Sequence, residues 1–181
     1  LVVTDGPVVQ PSATVGLGGA SVGLWANADL DDANGRAGEV TEVDLWLEYG
    51  LGLGLVDVTA GLVHYGYPDA EGDTSELYAV GSAALPLAPT LSLYRDLDAV
   101  ESWYVGLSLA HGLALTPEHT LDVAASVGAG DESHNQAYYV GAAGGAADAS
   151  LAASWTWSPA PRLSVTPQVA WVTLLGEAAD A

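Results

Sequence analysis

The sequence contains no Cys, Met or Phe, and neither Ile nor Lys occurs in its 181 residues. The only basic side chains apart from histidine are Arg36, Arg95 and Arg162, against 23 Asp and Glu, so the formal net charge is -20. Three arginines cannot neutralise a track of phosphates, which excludes a nucleic-acid-binding protein. Half of the residues are hydrophobic (50%), which excludes a disordered acidic chain.

Long apolar runs are also lacking. The best candidate, between Ala79 and Leu93, is interrupted by Pro86 and Pro89, so no transmembrane helix is expected and a membrane role would require strands. The sequence starts at Leu1 without any Met, and we expect that a signal peptide has been removed and that the protein is exported. The absence of Cys suits export without disulfides, but it is equally compatible with a reducing compartment.

What the sequence does contain is a repeated alternation with period two, the pattern of β-strands. Between residues 42 and 49, apolar residues at odd positions alternate with polar residues or Trp at even positions, and residues 56–64 repeat an alternation. A turn at Leu51 and Gly52 would pair these segments antiparallel, with Leu47 opposite Val56.

The same pattern along the chain predicts an all-β fold, an antiparallel up-and-down outer-membrane-type β-barrel of about ten strands, within a range of roughly eight to twelve. We expect a single barrel domain over residues 13–174, with an N-terminal segment 1–12 and a C-terminal tail 175–181. Acidic loops are expected at one end of the barrel, at residues 28–38, 67–74, 96–101 and 131–136. The predicted strands are 13–27, 39–50, 53–66, 75–85, 90–96, 101–113, 119–130, 137–143, 149–157 and 163–174.

The two faces of these strands differ in size and polarity. One face is bulky and apolar, and the other consists mostly of Gly, Ala, Ser and Thr, which suits a crowded lumen better than a solvent-facing surface. The bulky face would then contact lipid or other protein. Six aromatic residues near predicted strand ends are assigned to an interfacial girdle; the alternative is that they pack the core of a β-sandwich. They are Trp25, Tyr49, Tyr65, Trp103, Trp157 and Trp171.

Several carboxylates share the expected luminal parity. With few cations available to pair with them, they imply water, bound cations or raised pKa values inside the barrel, and any conduction would be cation-selective. The alternative is a narrow barrel that Trp46 and Tyr78 block; the sequence leaves both open. The luminal carboxylates are Glu42, Asp44, Glu48, Asp57, Glu76 and Asp122.

Three stretches of the sequence carry a family resemblance: Asp57–Pro68 followed by Thr74–Tyr78, Tyr94–Asp98 with Ser102–Val105, and the strand Leu121–Gly130. Over residues 15–175 the chain resembles the Gcw-chp family of uncharacterised proteobacterial outer-membrane proteins. The pairing of Tyr-x-Tyr-Pro with Ser-Glu-Leu-Tyr is the most distinctive part. The resemblance implies an exported outer-membrane β-barrel of unknown function, and it brings no catalytic residues.

One feature departs from such barrels, which generally end on an aromatic residue. This sequence ends Leu175-Gly-Glu-Ala-Ala-Asp-Ala181. Either the protein continues beyond Ala181, or the barrel is not inserted in the ordinary way. In the second case we expect copies of the chain to cover the apolar exterior, as a tube or filament.

The acidic loops are candidate cation sites. An EF-hand does not fit, because with Gly35 as the turn glycine its first position would be Leu30 and its twelfth Thr41. Looser coordination of Ca²⁺ is a hypothesis, and solvated loops that keep the protein soluble are the alternative. The candidate ligands are Asp29, Asp31, Asp32, Asp69, Glu71 and Asp73.

No pattern indicates catalysis. The histidines (His64, His111, His119, His134) lack metal-ligand spacing, and the glycine-rich stretches are too short for a dinucleotide fingerprint. We therefore expect a non-enzymatic, exported barrel of the bacterial outer membrane or cell surface, with a structural or passive-pore role. Its expected partners are a lipid bilayer or copies of itself as a homo-oligomer, and no cofactor is expected except Ca²⁺. The alternative is a barrel that binds a small ligand or Ca²⁺.

Overall fold

The computed structural model describes residues 6–32, 35–68, 72–139 and 143–179. Strands account for most of them, with one α-helix, α1 (Glu132–Tyr139), and a 3₁₀ helix at Gly176–Ala179. The strands are β1 (Val8–Val9), β2 (Ser12–Leu17), β3 (Ala20–Asp29), β4 (Val40–Leu53), β5 (Val56–Gly66), β6 (Thr74–Ala83), β7 (Thr90–Asp96), β8 (Trp103–Thr116), β9 (His119–Gly130), β10 (Gly145–Ala160), β11 (Leu163–Val165) and β12 (Gln168–Leu174).

The strands form one sheet whose order follows the chain: β1-β3-β4-β5-β6-β7-β8-β9-β10-β11, with β2 beside β3 and β12 beside β10. The pairings are antiparallel, as in β3 with β4 and β8 with β9. The all-β class and the up-and-down order are therefore confirmed. The order of the described strands has two ends, so their sheet is not closed, and closure into a barrel stays a prediction.

Three of the predicted strands were wrong. The predicted strand 163–174 is divided into β11 and β12 at Thr166 and Pro167. Residues 13–27 are a hairpin of β2 and β3 rather than one strand, because Gly18 adopts φ +62°, a conformation that reverses the chain. The predicted strand 137–143 begins within α1 instead, and residues 140–142 lie outside the described residues. The side chain of Asp131 caps that helix by accepting the His134 N–H at 2.9 Å.

The predicted turn between β4 and β5 was also misplaced. It lies at Gly54 and Leu55 rather than at Leu51 and Gly52, and Gly54 supplies the required positive φ of +76°. In the observed pairing Gly61 lies beside Leu47, and a Cβ added at Gly61 would come within 2.8 Å of the Leu47 carbonyl oxygen. The pairing is displaced by an even number of residues, so every side chain keeps its predicted face.

By compactness the chain divides into two units. Unit 1 comprises Leu1–Leu51, Thr59–Ala79 and Arg95–Glu101, and unit 2 comprises Gly52–Val58, Val80–Tyr94 and Ser102–Ala181. The expectation of a single domain over residues 13–174 stays a prediction.

Burial in both units is inverted relative to an ordinary globular core. Among the described residues, the buried hydrophobic side chains are Val63, Ala147 and Ala178. Buried polar residues are more numerous: Asn27, Asp29, Thr74, Asp96, Ser102 and Asn135. Large apolar side chains instead lie on the surface, which is the opposite of what water alone would favour.

Candidate functional site

The strands present one apolar and one polar face. In β4, Leu45, Leu47 and Tyr49 are exposed, whereas Trp46 and Glu48 are half-buried on the other side. We call the first side the apolar face and the second the polar face. Further exposed members of the apolar face are Val22, Leu24, Leu62, Leu77, Leu91, Leu93, Trp103, Val105, Leu107, Leu109, Leu113, Val123, Val127, Leu151, Trp155, Trp157, Val169 and Trp171.

Every Asp and Glu in the described strands takes a polar-face position. In unit 1, Glu48 pairs with Ser21 and Asp44 pairs with Trp25. In unit 2, Asp122 pairs with Ser154. The six predicted luminal carboxylates (Glu42, Asp44, Glu48, Asp57, Glu76 and Asp122) thus share this face, and it also carries three that sequence reasoning missed: Asp29, Asp96 and Asp148.

The polar face of unit 1 contains a hydrogen-bonded bridge across several strands. Tyr78 on β6 lies over Gly61 on β5, where a Cβ would come within 2.6 Å of its ring, and its hydroxyl donates to Glu48 on β4 at 2.6 Å. Ser21 on β3 donates to the other oxygen of Glu48 at 2.7 Å. We call Ser21, Glu48, Gly61 and Tyr78 the unit 1 bridge. Only glycine at position 61 leaves room for the ring.

Unit 2 contains a second bridge of the same construction. Tyr104 on β8 lies over Gly128 on β9, in space that a Cβ would occupy, and its hydroxyl donates to Asp148 on β10 at 2.9 Å. Tyr139 of α1 approaches the same oxygen at 3.5 Å. Tyr104, Gly128, Asp148 and Tyr139 are the unit 2 bridge. Burial, followed by the nearby Asp148 charge, raises the pKa of Tyr139, which keeps this phenol a neutral donor.

Trp46 occupies unit 1 in a related way. Its indole lies over Gly23 of the neighbouring strand β3, where a Cβ would collide with the ring. Both Trp46 and Tyr78, which the sequence suggested as residues that block the lumen, are therefore packed against glycines of adjacent strands. Small residues on the polar face therefore leave room for the large rings of neighbouring strands.

Asp96 forms the most densely bonded carboxylate site in unit 1. It is 1% exposed and accepts the Thr74 hydroxyl at 2.7 Å. Its other oxygen accepts the backbone N–H groups of Asp98, Val100 and Glu101 at 3.0–3.1 Å. These donors satisfy the charge without a cation and hold the connection after β7 in place. The alternation over residues 90–96 would have assigned Asp96 to the polar face.

The predicted Ca²⁺ ligands are held in different ways. Asp29 is 2% exposed and accepts the Asn27 amide at 3.1 Å, and the Asp31 carboxylate lies against Gly6. Asp73 accepts the Tyr67 N–H at 2.8 Å, Asp32 is exposed, and Asp69 and Glu71 lie outside the described residues. Within residues 6–32, 35–68, 72–139 and 143–179, no three His, Asp or Glu residues form a group that could hold a metal ion. The Ca²⁺ site stays a prediction.

Four of the six predicted girdle aromatics lie exposed on the apolar face: Tyr49, Trp103, Trp157 and Trp171. The other two need correction. Trp25 pairs with Asp44 on the polar face, and Tyr65 donates to Glu76 there at 2.9 Å. Proximity to a strand end does not decide the face of a side chain, whereas its parity in the alternation does.

One apolar-face aromatic was missed. Trp155 is exposed, and its ring stacks on His119 with centroids 5.3 Å apart; Trp157 stacks on the same histidine at 6.5 Å. Its parity, shared with Trp157, would have revealed it. The three rings form an aromatic cluster at the end of β10 that is next to the turn before β11.

A solvent-open cavity of about 310 Å³ in unit 2 is lined by His111, Asp122 and Ser154, among others. These residue types invite comparison with a nucleophile–histidine–acid triad. The register argues against it, because Asp122 pairs with Ser154 on the polar face whereas His111 pairs with Val123 on the apolar face. The expectation that the protein is not an enzyme stays a prediction.

No family model matches this sequence, and no curated protein is significantly similar to it. The resemblance to the Gcw-chp family therefore remains a hypothesis drawn from the motifs. Across the described parts of the chain, no helix is long and apolar enough to cross a membrane.

Proposed function

We propose that this chain is an exported, non-enzymatic, membrane-embedded β-sheet protein of the outer-membrane type, with a structural or passive role. The observation that carries the proposal is the segregation of charge: in the described strands, no Asp or Glu lies on the apolar face. Large apolar side chains on an exposed face that carries no carboxylate, in a chain of net charge -20, favour a face that is excluded from water. Lipid acyl chains are the environment that accepts such a face.

The spacing of aromatic residues in unit 2 supports a bilayer. Trp103 is the first residue of β8. Trp155 of β10 pairs with Leu121 of β9, and Leu121 pairs with Leu113 of β8, which lies ten positions after Trp103. Ten residues of strand extend about 33 Å. With a tilt of about 45° they rise about 23 Å, close to the height of the apolar band in outer-membrane barrels. Trp103 and the Trp155 cluster then lie at opposite membrane interfaces.

Strand length supports the same proposal. β4 and β8 have 14 residues each, β9 has 12 and β10 has 16. A tilted strand needs about 9–11 residues to cross the hydrocarbon core. The longer strands therefore extend beyond the bilayer and carry the connections into water.

The charge of the polar face determines which ions a passage along it would favour. Arg95, the single arginine in the described strands, takes an apolar-face position beyond Leu91 and Leu93. The described strands carry several carboxylates on the polar face and one arginine, so an open passage beside these carboxylates would favour cations over anions. The test is the reversal potential of a conducting form of the protein in a salt gradient, and anion selectivity would contradict the proposal.

Assembly through the apolar face is a second candidate. The described sheet has two ends, and exposed side chains continue to them: Leu17 on β2 is 87% exposed and Val169 on β12 is 69% exposed. Copies of the chain could cover these surfaces in place of lipid. Electron microscopy of detergent-free material separates the two, since ordered tubes favour assembly and vesicle-bound particles favour lipid. The resemblance to the Gcw-chp family and a location in the bacterial outer membrane or cell surface belong to the first proposal.

The membrane proposal is tested by placing a charge on the apolar face. Leu107→Lys on β8 should destabilise the folded protein in liposomes by about 2–4 kcal/mol, because the ammonium would enter the hydrocarbon core. Gln136→Lys, on an exposed position of α1, is the matched control and should have no effect. Folding is measured by heat-modifiable gel migration and by protection from protease.

A protein that stays folded and monodisperse in water without detergent would contradict the membrane proposal. So would equal folding of the Leu107→Lys and Gln136→Lys variants in liposomes.

A further inference from the structure

Helix α1 is tied to β8 at its start and, from its middle, to the segment that leads into β10. At the start, one oxygen of Asp131 accepts the His134 N–H and the other accepts the Trp103 N–H of β8, each at 2.9 Å. From the middle of the helix, the Asn135 amide donates to the Ala143 carbonyl oxygen, just before β10, at 2.7 Å. A connection tied in this way is a built element of the sheet surface rather than a free loop.

The inward side of α1 is closely packed. Asn135 is fully buried (0% exposed). The side chains of Asn135 and His134 both lie over Gly130 of β9, and a Cβ added at Gly130 would come within 2.5 Å of each of them. An exposed acidic connection would leave these polar side chains in water. The burial of Asn135 shows that the helix covers the polar face where β8 begins and β9 ends.

Aromatic rings extend this cover from the helix to the strands. His134 lies 4.7 Å from Tyr138 within α1 and 5.0 Å from Tyr104 of β8, and Tyr104 lies 6.3 Å from Tyr94 of β7. Tyr139 reaches Asp148 of β10. The rings thus form a continuous layer from β7 to β10 over the carboxylate that the unit 2 bridge uses.

We propose that α1 is a resident plug: it closes the polar face of unit 2 to solutes and ions at the end of the strands that carries the longer connections. The inference rests on the proposed membrane function and deepens it, since it makes the polar face of unit 2 closed to ions in the folded wild-type protein. Loosening α1 should expose the Asp148 carboxylate beside it and create a cation-selective passage.

The experiment compares four proteins in planar bilayers and in dye-loaded liposomes: wild type, Asn135→Ala, the double variant Asp131→Ala/Asn135→Ala, and Gln136→Ala. Gln136 is exposed and bonds only within the helix, to Glu132 at 2.8 Å, so it is the matched control. We expect wild type and Gln136→Ala to be closed. The Asn135→Ala and double variants should raise cation conductance at least about tenfold, the double variant more.

Each protein is first checked for insertion by heat-modifiable migration and protease protection, so that closure is not confused with failure to insert. Inserted wild type that conducts as well as the double variant would overturn the plug but leave the membrane proposal intact. Inserted double variant that stays closed would overturn the plug as well. Wild type that does not insert would overturn the membrane proposal, and the plug with it.

Discussion

The unit 1 and unit 2 bridges solve the same problem with different second donors. In each, a tyrosine crosses a glycine on the neighbouring strand and donates to a carboxylate one strand further, at 2.6 Å for Tyr78 and 2.9 Å for Tyr104. In unit 1 the second donor to the carboxylate is Ser21 of β3, within the sheet, at 2.7 Å. In unit 2 it is Tyr139 of α1, outside the sheet, at 3.5 Å.

The difference shows two ways in which carboxylates on the polar face of the described strands are held by hydroxyl donors. Hydroxyl donors take the place of cations, and a glycine lets the donor reach across a whole strand. The unit 1 bridge depends only on strand pairing. The unit 2 bridge also depends on the position of α1, because Tyr139 belongs to that helix. The two bridges should therefore respond differently to the same type of substitution.

The largest effect is expected from filling the glycine beneath each ring. Gly61→Ala should lower the free energy of unfolding by about 3 kcal/mol, because the new methyl meets both the Tyr78 ring and the Leu47 backbone oxygen. Gly128→Ala should cost about 2 kcal/mol, because it meets ring atoms of Tyr104 that are able to move. Guanidinium unfolding in detergent, followed by the fluorescence of the six Trp residues, measures both.

Gly81→Ala on β6 is the control for the glycine pair, because no atom lies within 4 Å of the added Cβ. It should change stability by less than about 0.5 kcal/mol. If Gly61→Ala proved as mild as Gly81→Ala, Tyr78 would not lie over Gly61.

A smaller effect is expected from removing each bridging hydroxyl. Tyr104→Phe should cost about 2 kcal/mol, because Asp148 then keeps only the long contact with Tyr139. Tyr78→Phe should cost about 1 kcal/mol, because Ser21 still donates to Glu48. The same unfolding measurement, made on Tyr78→Phe, Ser21→Ala and the double variant, should give a loss larger than the sum of the single losses. Strict additivity would contradict a shared carboxylate.

The smallest effect separates the helix from the bridge. Tyr139→Phe keeps the ring but removes a hydroxyl at 3.5 Å, so it should change stability by less than about 0.5 kcal/mol. Because the ring still packs on His134, the conductance of this variant should equal that of wild type. A rise in conductance would assign the plug to this hydroxyl rather than to Asp131 and Asn135.

Much of the fold was accessible from periodicity. The alternation in residues 42–49 assigned Leu47 and Glu48 to opposite faces correctly, although the turn after them was misplaced, since an even displacement preserves parity. The same rule would have found Asp96 and Trp155. Trp25 and Tyr65 were misassigned because distance from a strand end was weighed above parity.

Other features were not accessible. Residues 131–139 show no strong apolar period that would predict a helix. The Asp131 carboxylate that caps α1 also accepts the Trp103 N–H of β8, so the helix depends on a contact with a residue that is distant in the sequence. The bridges likewise depend on which glycine lies beside which tyrosine. That relation joins residues 17 and 24 positions apart, for Gly61 with Tyr78 and Gly128 with Tyr104.

The sequence by itself determined that this is an all-β chain with one apolar and one acidic face, because side-chain alternation is a local property of each strand. Only the tertiary structure decided which glycines accommodate rings, which hydroxyls donate to Glu48 and Asp148, and that α1 folds back over unit 2. These depend on register between strands and on the path of the connections, and both result from packing between residues distant in the chain.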